Sequence, residues 1–153
     1  MESSTKLAEK TIRFMELLPA GGDKTLIILK GHLLIEELLT ELLQEKLKTE
    51  NPLEIKVDQN TNFALKLNLC WALIQQDIKL EIWPFIKELN SIRNKMAHAV
   101  VPKGIEEKIN TFTKAVSSYE HYLMPKSRGG DLEFCIAWLF IVLSQYLHQV
   151  KNS

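Results

Sequence analysis

Apolar residues recur at three- and four-residue intervals along almost the whole chain, and alternating apolar and polar runs bounded by turn residues are hard to find. That period puts an apolar stripe on one side of a helix, and such a stripe leaves water only by packing against other helices. The pattern therefore predicts an all-α fold, a single-domain antiparallel bundle of about five to six helices. With 153 residues the chain is long enough to bury a core without a disulfide or a metal staple.

A first helix over about 4–18 carries Leu7, Ile12, Phe14, Met15 and Leu18 and stops before Pro19-Ala20-Gly21-Gly22. Asp23 is placed to cap a long central helix over about 24–48, with Leu26, Leu29, Leu33, Leu38, Leu42 and Leu47 among its apolar positions. Gly31 lies inside it, where glycine costs about 1 kcal/mol relative to alanine, so a close approach by another helix or a ligand is expected there. The stretch 49–60, TENPLEIKVDQN, reads as an irregular loop. Further helices are expected over about 61–76, 80–99, 104–122 and 130–150. Pro84 is tolerated only in the first turn of the fourth, which must end before Val101-Pro102. The sixth follows Ser127-Arg128-Gly129-Gly130 and is apolar on nearly every side through its middle. It is expected to pack on the core or at a dimer interface, and the apolar excess favours the interface.

The 19 Lys and Arg residues balance the 19 Asp and Glu residues, so no global positive field marks a bulk nucleic-acid binder, although a local basic patch stays open. Cys70 and Cys135 stand 65 positions apart inside apolar segments and fit no metal-ligand spacing; they read as buried, reduced thiols of a cytoplasmic protein. The opening MESSTKLAEK has no apolar core after its charges and does not read as a secretory signal. The longest unbroken apolar run, Phe134 to Leu143, is 10 residues, about half of the roughly 20 that span a bilayer, so no membrane partner is expected.

The chemistry gathers in LNSIRNKMAH, residues 89–98. One of only three arginines, Arg93, stands five positions before one of only four histidines, His98, with Asn94 between them. On a helix Arg93 and His98 lie about 140° apart, while Asn94 and His98 share a face, so Arg93 has to reach around to join them. An arginine fork, a histidine that exchanges protons near neutral pH and an amide are a minimal set for phosphodiester chemistry. RNA carries its own nucleophile, the 2′-hydroxyl. Cleavage then needs removal of that proton, protonation of the leaving 5′-oxygen and positive charge at the phosphate, without a metal. One motif supplies too few groups; two across a twofold axis supply enough, which makes a homodimer the expected working form. The spacing alone arises by chance in about one such sequence in twelve. The competing reading pairs Arg93 with Glu88 or a carboxylate of the second helix and leaves Asn94 and His98 to finish the fourth.

Arg93-Asn94-Lys95-Met96-Ala97-His98 resembles the R-x-x-x-x-H signature of the HEPN superfamily, the higher eukaryote and prokaryote nucleotide-binding domains, in which a small polar residue usually follows the arginine. The stretch from Phe63 to His98, with Lys66, Leu67, Leu69, Ala72-Leu73-Ile74, Trp83, Ile86, Leu89 and Ile92, is similar to the mannitol operon repressor-like and related branches. Gly31-His32-Leu33-Leu34-Ile35-Glu36-Glu37-Leu38-Leu39 resembles their long early helix, so the likeness spans about 24–122. It implies a helical bundle, a dimer that brings two motifs together and, in many members, metal-independent cleavage of single-stranded or loop RNA. Such members often serve as toxins or antiviral effectors, with an antitoxin or regulatory protein as partner. Carried over by position, Arg93 holds or polarises the scissile phosphate, His98 transfers a proton or holds the phosphate, and Asn94 orients them. The repressor-like branch implies the alternative, a non-catalytic transcriptional regulator or scaffold of the same fold.

His32 and Glu36 stand one turn apart and are expected to pair on the helix surface or to reach across the bundle, where Glu36 would support Arg93. Lys95, with Lys66 and Lys103, is expected to make the cleft positive. His121 reads as the wet edge of the fifth helix, His148 as the last turn of the sixth, and Trp71, Trp83 and Trp138 as core anchors. No glycine-rich phosphate loop, nucleotide fingerprint, nucleophile elbow or metal-ligand set stands in the sequence, so no cofactor or metal is expected.

Overall fold

The computed structural model describes residues 4–18, 23–74, 81–99, 103–124 and 131–152. Six helices lie among them: α1 (Ser4–Leu17), α2 (Lys24–Lys46), α3 (Phe63–Leu73), α4 (Trp83–Ala97), α5 (Ile105–Ser117) and α6 (Asp131–Lys151). No strand occurs among the described residues. The expected breaks at Pro19–Gly22, Val101–Pro102 and Ser127–Gly130 fall outside them.

Local chemistry sets the helix ends. The Asp23 carboxylate accepts from the Thr25 amide at 2.9 Å and starts α2. Asn62 does the same for α3, accepting from the Ala64 and Leu65 amides, so that helix begins at Phe63 and not at the expected position 61. Pro84 sits in the first turn of α4, where its missing N–H costs nothing. Gly104 precedes α5 with φ 70°, a left-handed conformation that glycine adopts without a side-chain clash. The loop that follows α2 is irregular as expected. It is pinned by Asn51, whose side chain bonds both the N–H and the carbonyl of Ile55, and by Gln44, which donates to the Val57 carbonyl.

That loop decides a topology the periodicity did not reveal. It carries the chain back along α2, so α3 runs in the same direction as α2: His32 lies on Phe63, Glu36 beside Lys66, and Leu39 against Cys70. α6 also runs parallel to α2, with Ile136 against Gly31 and Lys151 bonded to Glu41. α1 runs antiparallel to both α2 and α6, through Lys10–Glu41, Arg13–Glu37 and Phe14–Phe140. The expected simple antiparallel bundle is therefore corrected to a mixed one. Burial alone would raise the Glu41 carboxyl, but hydrogen bonds from Lys10 and Lys151 outweigh it and hold the group below its ordinary value, tying α1, α2 and α6 at one end.

α6 is the second correction. Its apolar excess is spent inside the chain, not on a subunit interface: Ile136, Leu139 and Leu143 are fully buried, and the helix packs on α2, α1 and α5. By length and composition α6 is apolar enough to cross a membrane, but 67 % of that window is buried in the bundle, as befits a core helix. Gly31 lets α6 approach, since a Cβ there would stand 2.8 Å from Ile136 Cγ2. Apolar side chains face solvent elsewhere. Leu26, Leu29 and Leu33 on α2 are 42 %, 36 % and 58 % exposed, because α2 buries Ile27, Ile28, Ile35, Leu38 and Leu42 on its other side. Trp71 is exposed as well, against expectation, whereas Trp83 and Trp138 are core residues. Both cysteines are buried free thiols, and burial pushes the Cys70 thiol up to about 12.

Candidate functional site

The centre of α4 carries its chemistry. Apolar Trp83, Ile86, Leu89 and Ile92 turn that helix into the core, which leaves Lys87, Asn90, Ser91 and Asn94, spaced by three and four, on a polar stripe facing α3. His32 of α2 reaches this stripe from inside. It is buried, stacked on Phe63 with ring centroids 4.3 Å apart, and its Nε2 lies 2.9 Å from Asn90 Oδ1.

Burial is the largest influence on His32 and lowers it below the ordinary value near 6.5; the Asn90 bond and the Glu36 charge oppose this, and the Arg93 charge adds to it. The ring is therefore neutral at pH 7, and its Nε2–H donates to Asn90 Oδ1. The expected partnership with Glu36 is corrected: His32 reaches across the bundle, but to an amide. Glu36 turns to Lys66, whose fully buried Nζ stands 3.8 Å from Glu36 Oε2 and has no hydrogen-bond acceptor among the described residues. Lys66 thus lines no positive cleft at the motif, and Glu36 does not hold Arg93.

His32 makes stability depend on pH. In the unfolded chain it takes up a proton as pH falls through 6.5, while the native ring resists until its own, lower value. The contribution is complete above pH 6.5 and is lost as pH falls towards the native value, by at most about 1.4 kcal/mol per pH unit. Thermal unfolding between pH 7.5 and 5 is expected to show the wild-type midpoint falling more steeply than that of His32→Gln, which keeps an amide donor for Asn90 but does not titrate. Parallel curves refute the assignment.

Arg93 is half-buried and Asn94 exposed. The Arg93 guanidinium donates from Nη1 to Asn94 Oδ1 at 3.3 Å, and among the described residues no carboxylate pairs with it. Glu88, its expected structural partner, lies instead beside Lys108 at 4.0 Å. His98 is the C-cap of α4, exposed, its N–H returning to the Lys95 carbonyl. Arg93 and His98 of one chain are not joined by a hydrogen bond, as their separation around the helix predicts. Lys95 leans towards the start of α5, its Nζ 3.8 Å from where a Gly104 Cβ would stand.

Two clefts flank this region. The smaller, about 310 Å³, lies between α3 and α4 and is lined by Asn68, Lys87, Asn90, Ser91 and Asn94 over Leu67. A larger one, about 520 Å³, opens between α2 and the loop after it, with Glu36, Glu37, Glu41 and Asp58 on its walls. These four carboxylates outnumber the one ammonium in its lining, the buried Lys66, and repel phosphate, so size does not select it. Asn90, Asn68 and Lys87 are site residues that the sequence reading passed over, although their three- and four-residue spacing with Asn94 and across α3 was there to be read. No protein-family model matches this chain, nor does a curated protein or a solved structure.

Proposed function

We propose that this chain is a metal-independent endoribonuclease of the HEPN type, a homodimer that cuts single-stranded or loop RNA by attack of the 2′-hydroxyl and leaves a cyclic phosphate. The observation that carries the reading is the availability of Arg93. Its guanidinium rests on an amide, while nearby carboxylates are engaged elsewhere, Glu36 by Lys66, Glu37 by Arg13 and Glu88 by Lys108. An arginine so placed keeps its whole charge for a phosphate.

In the reaction one His98 takes the 2′-hydroxyl proton as the oxygen attacks phosphorus, and the partner's His98 gives a proton to the departing 5′-oxygen. Arg93 balances the charge that builds on the phosphate oxygens, and Asn94 steadies the guanidinium. The surface this reading assigns to the dimer is the exposed α2 face of Leu26, Leu29 and Leu33, where Leu33 shares a cleft with Glu36. Leu33→Lys is expected to shift sedimentation from dimer to monomer and to remove cleavage, with the helical content unchanged; a dimeric, active Leu33→Lys protein places the axis elsewhere. A cytoplasmic location and an antitoxin or regulatory protein partner belong to the same reading.

The deciding experiment is cleavage of a labelled mixed-sequence RNA in EDTA, with analysis of the new 3′ ends. The second reading is a regulator or scaffold of the same fold, in which Arg93, resting on Asn94, and His98, closing α4, do no chemistry. Intact RNA across all substrates decides for that alternative.

A further inference from the structure

We propose that the cleft between α3 and α4 holds a second phosphate of the RNA strand, next to the one at Arg93; the inference rests on the ribonuclease reading above. The cleft wall is a set of donors. His32 occupies Asn90 Oδ1 and Arg93 occupies Asn94 Oδ1, which leaves the NH₂ group of each amide as the one free to serve the cleft. Lys87 adds an ammonium, and Lys108 Nζ, the partner of Glu88, donates to Ser91 Oγ at 3.1 Å, which leaves the Ser91 O–H to donate into the cleft.

The ligand that matches such a wall accepts hydrogen bonds and carries negative charge. A phosphate oxyanion does both. A nucleobase presents donors as well as acceptors and is usually gripped by stacking, but no aromatic ring and no carboxylate lines this cleft. Lys87 and Asn94 are seven positions apart on α4, about 10 Å along the axis. The cleft therefore extends along the helix away from Arg93 and can take a neighbouring phosphate without competing for the scissile one. His32 is the positioning residue: neutral and buried, it fixes which way the Asn90 amide faces.

The test uses the full-length protein and 2′-O-methyl oligoribonucleotides of uniform A, U or C, which lack the nucleophile and stay intact. Binding is measured against salt for wild type, Lys87→Ala, Lys87→Arg and, as a control in the exposed loop after α2, Lys56→Ala. Lys87→Ala is expected to weaken binding several-fold on every sequence and to reduce the slope of log K against log salt by about 0.7, the share of one phosphate on a single strand. Lys87→Arg restores the slope, and Lys56→Ala leaves it alone. If wild type binds RNA but Lys87→Ala keeps the wild-type slope, the cleft is not a phosphate seat and the ribonuclease reading stands. Loss on one sequence only also overturns the phosphate and puts a base there. If wild type holds no RNA, both readings fall together.

Discussion

Alanine at His98 is expected to lower RNA cleavage in EDTA by about 10³-fold, and alanine at Arg93 by about 10²- to 10³-fold, while both proteins keep the wild-type fold. The first figure is the range for losing a positioned proton-transfer group, the second that for losing one oxyanion partner. The two losses are expected to overlap in the double variant, because the groups act on one transition state. Stability distinguishes this from a structural role. His98 is exposed at the end of α4, and among the described residues Arg93 has a single neutral partner, so each substitution should change unfolding by no more than about 0.5 kcal/mol. Cleavage followed by 3′-end analysis, with thermal unfolding and sedimentation on the same samples, reads both. Cyclic-phosphate ends that vanish with His98 support catalysis; variants that unfold early or fall to monomers make the motif a structural element. Mixing the two inactive variants adds a sharper arm. Because the cleft uses both copies of His98, heterodimers that keep a single His98 should stay close to inactive; recovery on mixing would mean that one histidine suffices.

Periodicity and caps made the six helices legible, since Asp23 and Pro84 mark their boundaries by backbone chemistry that acts within a few residues. What the sequence hid is direction and partnership. α2 and α6 are apolar nearly all round, and a stripe without a polar edge names no side, so the exposed Leu33 and the buried Leu42 look alike in the sequence. The same ambiguity sent α6 to a subunit interface when it belongs to the core. His32 was legible only as a neighbour of Glu36 one turn away, because its partner Asn90 lies 58 positions off and comes into contact only where α2 and α4 pack together. The motif residues themselves sit where a helix from about 80 to 99 puts them, with His98 closing it.

Ile136→Ala is expected to destabilise the chain by about 3 to 5 kcal/mol, the upper part of the range for truncating a buried aliphatic side chain. The reason is the residue opposite. Ile136 is fully buried and lies against Gly31, so truncation leaves a void that the facing helix has no side chain to fill. For a domain of this size the midpoint should fall by on the order of 10 °C. Gly31→Ala is also destabilising on its own, because the new Cβ meets Ile136 Cγ2 at 2.8 Å, and overpacking a close contact costs about 1 to 3 kcal/mol. In the Ile136→Ala background the same methyl enters the void and gains helix propensity, so the double variant should be more stable than the sum of the two losses by at least about 1 kcal/mol. Sedimentation should show the wild-type assembly throughout. If α6 were a subunit interface instead, Ile136→Ala would dissociate the protein while barely changing the stability of the monomer, and Gly31→Ala would not couple to it.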